Sequence, residues 1–388
     1  MTDTTVKYFD SEMPGAAQLS GTAGALVAIL RECLVTGRGL ASATVAVSGG
    51  VATASFASGH PFVVDAVALV AGAAVSAING EHKITSTSTN TVTWDAPGVP
   101  DGAVSGTITI KLAPAGWEEI FSGTNKTALR SSDSGSTRCV LRVDDTGTGS
   151  PKYARLRSYE SMTDIDTGTG PSPSESVCAG GWYIPKSNAA STAARRWILL
   201  ADARRAVLMV ASDSTYQDGY WAFALGDVLS DKSGDAWHFL TTGLDGTSYL
   251  DSYAGATAHA PTHRCARCSL QRSYSQVGGA VQCRTWVPGA IAADSGSNSN
   301  PVGPSVVNNA IDVSPILLQE TLSDAGPVRG RFPGLYHVPL FLGAGYGSKS
   351  TITATQGLTG RKLMSVGTYM NGSGGGQRFF IDITGPWD

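Results

Sequence analysis

Residues 77–111 read AINGEHKITSTSTNTVTWDAPGVPDGAVSGTITIK, and their periodicity decides the fold class. Val92 and Trp94, then Ile108 and Ile110, alternate with Thr and Lys, the spacing of two expected of a strand with one dry and one wet face. Asn79-Gly80 lies between an apolar run and EHKITS; both residues tolerate positive φ, so the pair predicts a type I′ hairpin turn. Upstream, ATVAVSGGVATASF (43–56) and PFVVDAVALV (61–70) continue as short strands. Residues 43–113 therefore predict a small β-sandwich or barrel, closed by the linker Pro114-Ala115-Gly116.

Working outward, residues 1–42 hold the one convincing helix, AGALVAILRECLV from Ala23 to Val35. Ser20 or Thr22 is available as its cap and Gly37 as its stop, while Leu26, Ile29, Leu30 and Cys33 or Leu34 form one stripe for core packing. Residues 114–253 predict a β-rich middle domain. There Arg138, Arg142, Arg155 and Arg157 alternate with Cys139, Leu141, Ala154 and Leu156. Within it DIDTGTGPSPSES (164–176) cannot supply a core and reads as a long exposed loop. Residues 254–388 read as a C-terminal β-rich region with long loops, notably Ala292 to Ser305. The class is thus mostly β, with several sandwich or barrel-like domains and one short N-terminal helix.

Composition narrows the function. Charged residues make up 15 % of 388 and the net charge is −3, so the chain lacks the basic balance that draws a protein to phosphate backbones, and nucleic acid is not an expected partner. The 47 glycines favour turns and short strands. So few charges suit a subunit that buries surface against neighbours, which points to a homo-oligomer. The longest apolar stretch, 63–78, is interrupted by Asp65, Gly72 and Ser76, so membrane insertion is not expected. The first residues lack a basic start and apolar run, so the chain reads as made in a cytoplasm without a signal peptide.

The motifs that could carry chemistry are few. His259, His263, Cys265 and Cys268 are the right ligand types for tetrahedral zinc, but they are crowded into ten residues; incidental Cys and His in a loop is the alternative. No GxSxG, SxxK or HExxH occurs, so no catalytic residue is assigned and an enzyme is not expected. Trp182, Tyr183, Tyr220 and Trp221 are candidates for a sugar-stacking platform, with core filling as the competing reading.

Four stretches carry a resemblance: KYFDSEMPGAAQLSGTAGALVAILRECLVTG (7–37), residues 77–111, KYARLRSYESMTDIDTGTGPSP (152–173) and RFFIDITGPWD (378–388). Together they resemble a family of virion proteins of tailed bacteriophages and prophages, and residues 77–111 resemble the small β-sandwich found on tail proteins. The resemblance implies a structural subunit located in the virion whose partners are other virion structural proteins. A tail-tip or baseplate block, trimeric or hexameric, is the leading form. A capsid-side decoration or neck/collar protein is the first alternative, and a module that binds host cell-surface glycan is the second.

Overall fold

The computed structural model describes residues 3–211, 217–246, 266–286, 318–323, 328–338, 347–354, 358–367 and 378–387. The chain is mostly β, with several sheets, a half-barrel and one short helix near the N-terminus.

The helix runs Ala25–Arg31 and widens into one π-turn, Glu32–Thr36, before Gly37 turns the chain at φ 71. Leu26, Ile29, Leu30, Cys33 and Leu34 are buried along the expected stripe. The expected cap is not used. Gly24 precedes the first turn in a left-handed conformation, and Ser20 donates to Thr22 instead (3.0 Å). A helix start leaves unpaired N–H groups. Here Asp145, far along the chain, accepts from Leu26 N through its carboxylate (2.8 Å) and from Gly24 N through its carbonyl (2.9 Å).

Strands Arg38–Ser42, Gly106–Leu112, Val67–Ala73 and Gly80–Lys83 form one sheet of a sandwich. Ser86–Thr87, Thr91–Asp95, Val51–Ser55, Thr44–Ser48 and Gly102–Val104 form the other. Val45, Val47, Ala52, Ala54, Val92, Trp94, Ile108 and Ile110 are buried between them, as their alternation requires. Val67–Ala73 does pair with Gly80–Lys83, Val70 opposite Gly80, but not through a type I′ turn. Asn79 sits at φ −77, after a 3₁₀ turn over Ser76–Ile78, and its side chain accepts from Ala73 N (2.9 Å) and donates to Ala73 O (2.8 Å). An amide that satisfies both backbone groups of Ala73 closes a wider connection than the dipeptide alone would give.

The body holds two antiparallel meanders. Trp117–Gly123, Lys126–Ser131, Val140–Asp144, Tyr153–Tyr159 and Trp182–Pro185 make the first. Lys7–Asp10, Trp197–Ala201, Arg205–Ala211, Tyr220–Asp227 and Phe239–Leu244 make the second. Phe239–Leu244 joins them, since Leu244 also lies opposite Tyr183. In the first meander Leu141, Val143, Ala154 and Leu156 are buried while Arg142 and Arg155 stay half-buried, the wet-and-dry pattern read from the sequence. The pattern stops there: Arg157 is buried and paired with Glu175, and Arg138 precedes its strand at φ 60. Every residue of Trp197–Ala201, Arg205–Ala211 and Tyr220–Asp227 is buried, so both faces of the second meander are covered.

The C-terminal sheet, Leu318–Ser323, Val328–Val338, Arg378–Asp382, Lys362–Gly367 and Thr351–Thr353, is tied to this meander and to the sandwich. Arg205 donates to Trp387 O, Lys83 to Ile383 O, and Lys362 pairs with Asp65 at 2.5 Å.

Residues 164–176 are not a free loop. Gly168–Thr169 pairs with Ser161–Met162 as a small hairpin, and Asp166 is held by Lys126 (2.7 Å) and Arg142. Ser172 is buried, donating to Ser269 (2.8 Å). Polar anchoring replaces the apolar core that this segment cannot build.

Candidate interaction surface

Residues 231–238 and 271–280 meet above a buried ion pair. Asp235 and Arg329 are almost wholly shielded from solvent and contact through two hydrogen bonds, 2.5 and 2.9 Å. Burial pushes the Asp235 carboxyl up, but the Arg329 guanidinium, the Ser230 hydroxyl and the Trp237 amide outweigh it and hold the carboxyl at about 2. Asp235 also accepts from the Gln276 side chain at 2.6 Å. Gln276 occupies a left-handed turn (φ 65), fixed further by Gln276 N donating to Ser273 O at 2.9 Å. A residue other than glycine in that region needs support of this kind.

On this frame stand aromatic and apolar side chains. The Arg272 guanidinium lies 4.1 Å from the centre of the half-buried Trp237 ring and forms a two-pronged pair with Glu160 (2.5 and 2.6 Å). Lys232 lies 4.6 Å from the centre of the exposed Tyr274 ring. Val277 is 76 % exposed, and Val328, next to Arg329, is exposed as well. Such a set, outward-facing yet held from beneath, can offer ring faces and methyl groups to a partner with little ordering cost.

The sandwich also exposes large apolar side chains. Leu40 is 70 % exposed on the edge strand Arg38–Ser42, and Val64 is exposed too. Gly39, at φ 70, brings this strand against Pro61; a Cβ there would stand 2.3 Å from Pro61 Cγ, so only glycine fits. A sheet edge bearing a large apolar residue is a ready contact for another chain.

Between the sandwich, the N-terminal strand and the C-terminal sheet is a cleft of about 370 Å³, bordered by Tyr8, Asp10, Met13, Val64, Lys349 and Met364 among others. Its polar groups serve one another. Lys349 pairs with Asp10 (2.7 Å) and Glu12, and Tyr8 donates to Asp10 (2.8 Å). The lysine lowers the Glu12 carboxyl, while burial and the neighbouring Asp10 push the Tyr8 hydroxyl far up, so it stays protonated. This arrangement holds three segments together.

The aromatic platform read from the sequence is not assembled. Trp182 is wholly buried with its indole N–H donating to Thr241 (3.2 Å), and Tyr220 and Trp221 are buried in the second meander. Only Tyr183 reaches the surface; Arg155 lies 3.4 Å over its ring and Tyr153 packs edge-on at 4.7 Å. Large rings in strands covered on both faces fill the core. Of the zinc candidates, His259, His263 and Cys265 lie outside the described residues. Cys268 is buried in Ala266–Leu270, with its thiol donating to Cys283 O at 2.8 Å. Among the described residues no group of three His, Cys, Asp or Glu is placed to hold a metal ion.

Trp237, Tyr274 and Val277 went unread as surface residues. Their signal was context: each sits in a short Ser-, Gly- or Asp-rich turn, DAWH or RSYSQVGG, instead of an apolar run. No family model and no curated protein matches the chain.

Proposed function

We propose that the protein is a structural subunit of a tailed-phage virion, a tail-tip or baseplate block that meets neighbouring tail proteins through two surfaces. The observation that supports this reading is large apolar side chains exposed on two separate parts of the fold, Leu40 and Val64 on the sandwich and Tyr274 and Val277 on the connection 271–280. A building block needs more than one contact face, and two unlike surfaces suit head-to-tail contacts within a ring or between different proteins.

Sedimentation of the purified chain over a range of concentrations tests it. The expected result is an oligomer, trimeric or hexameric, that Leu40→Asp or Val277→Asp reduces to smaller species without changing the unfolding midpoint. A wild-type chain that stays monomeric, unaffected by either change and absent from immunogold-labelled virions, would refute the reading. Gold on the head or neck would instead support a decoration or collar protein. The half-buried Trp237 and exposed Tyr274 favour one second reading, a host-glycan module. In that case Tyr274→Ala would abolish binding to host envelope polysaccharide while leaving the oligomer intact.

A further inference from the structure

Strands Ala266–Leu270 and Val281–Trp286 pair antiparallel with Cys268 directly opposite Cys283. Residues directly opposed in such a ladder project to the same face, with Cα atoms about 4.5–5.5 Å apart. That interval lies inside the roughly 4.4–6.8 Å range over which disulfides form. Both side chains are buried, and the Cys268 thiol already reaches the Cys283 carbonyl at 2.8 Å. The other described cysteines have no such counterpart: Cys33 lies in the π-turn, Cys139 just before Val140–Asp144, and Cys178 in a turn with its thiol donating to Gly181 O.

We infer that Cys268 and Cys283 form a cross-strand disulfide once the folded protein leaves a reducing compartment. With glutathione disulfide as oxidant, the Cys283 thiolate, the more exposed of the two at 7 % against 3 %, attacks one sulfur of the oxidant. A mixed disulfide forms and one glutathione leaves. The Cys268 thiolate then attacks the Cys283 sulfur, the mixed bond breaks, and the second glutathione leaves. Two protein thiols are oxidised, one glutathione disulfide is reduced, and the two thiol protons end on the released glutathiones. The new bond staples the base of the connection 271–280, which carries Tyr274 and Val277. The inference concerns the bond and this connection, and stands whether or not the surface binds a partner.

The experiment uses the full-length wild-type chain, incubated with either glutathione disulfide or dithiothreitol and then denatured and alkylated without further reduction. Peptide mapping of the oxidised sample should show the Cys268 and Cys283 peptides joined, lighter by two hydrogens and unalkylated, with Cys33 and Cys139 alkylated. Limited proteolysis within 271–280 should be several-fold slower in that sample than in the reduced one, and equal in the two for Cys283→Ser. Alkylation of both Cys268 and Cys283 after oxidation, or joining of either to a different cysteine, would overturn the assignment. A correct bond with unchanged proteolysis would overturn the staple.

Discussion

Breaking the pair between Asp145 and Lys186 should cost far more than removing the pair as a whole. Both side chains are fully shielded from solvent, and Lys186 also donates to Thr22 O at 2.8 Å. Burial pushes the Asp145 carboxyl up and the Lys186 ammonium down, and each holds the other's charge in place. Lys186→Met leaves a carboxylate with only backbone donors, and Asp145→Asn leaves an ammonium without a counter-charge. Each should cost about 3–5 kcal/mol, the usual penalty for stranding a buried charge. The double variant keeps an amide able to accept from Leu26 N and buries no net charge, so it should lose less than either single variant. The coupling should exceed roughly 2 kcal/mol, well beyond the additivity expected of independent sites. Urea unfolding followed by tryptophan fluorescence measures it, since Trp182 and Trp197 are buried in the same body. If the two single costs simply add in the double variant, the pair is not coupled and Asp145 acts as a helix cap alone.

Trp182→Ala should lower stability by about 3–5 kcal/mol in the same assay, the cost of emptying a core ring site, and should not alter polysaccharide binding. The Asp235 carboxyl, held at about 2 against 3.8 in the unfolded chain, contributes about 2 kcal/mol that is fully present above pH 3.8 and lost as pH falls through 2. The gap in urea midpoint between wild type and Asp235→Asn should therefore shrink below pH 4; a gap unchanged at pH 2 would contradict the assignment. Lys83 is buried, which pulls its ammonium from 10.5 to about 8 against the attraction of Asp65 and Asp3. Its unfolded form holds more protons across that window, so stability should rise by up to about 3 kcal/mol from pH 8 to 10.5. The rise should be absent in Lys83→Met.

The sequence by itself determined the local levels of this protein. Period-two alternation around Val92, Trp94, Ile108 and Ile110 was enough for a β-sandwich, and the stripe from Leu26 to Leu34 was enough for a helix ended by Gly37. Both signals live within a few residues, where side-chain direction follows directly from backbone geometry. The tertiary structure alone decided what covers each element. WILLA (197–201) and YWAFALGD (220–227) carry no alternation because both their faces are buried, so the sequence, though it favoured core filling, left a platform open for their aromatic residues. Asp145 caps a helix more than a hundred residues upstream, and its partner Lys186 lies on another strand's end, a pairing with no local trace. The surface around Trp237 and Tyr274 exists only where two connections meet over Asp235 and Arg329. Periodicity is a property of neighbours along the chain, whereas burial depends on neighbours in space, and only folding makes the second from the first.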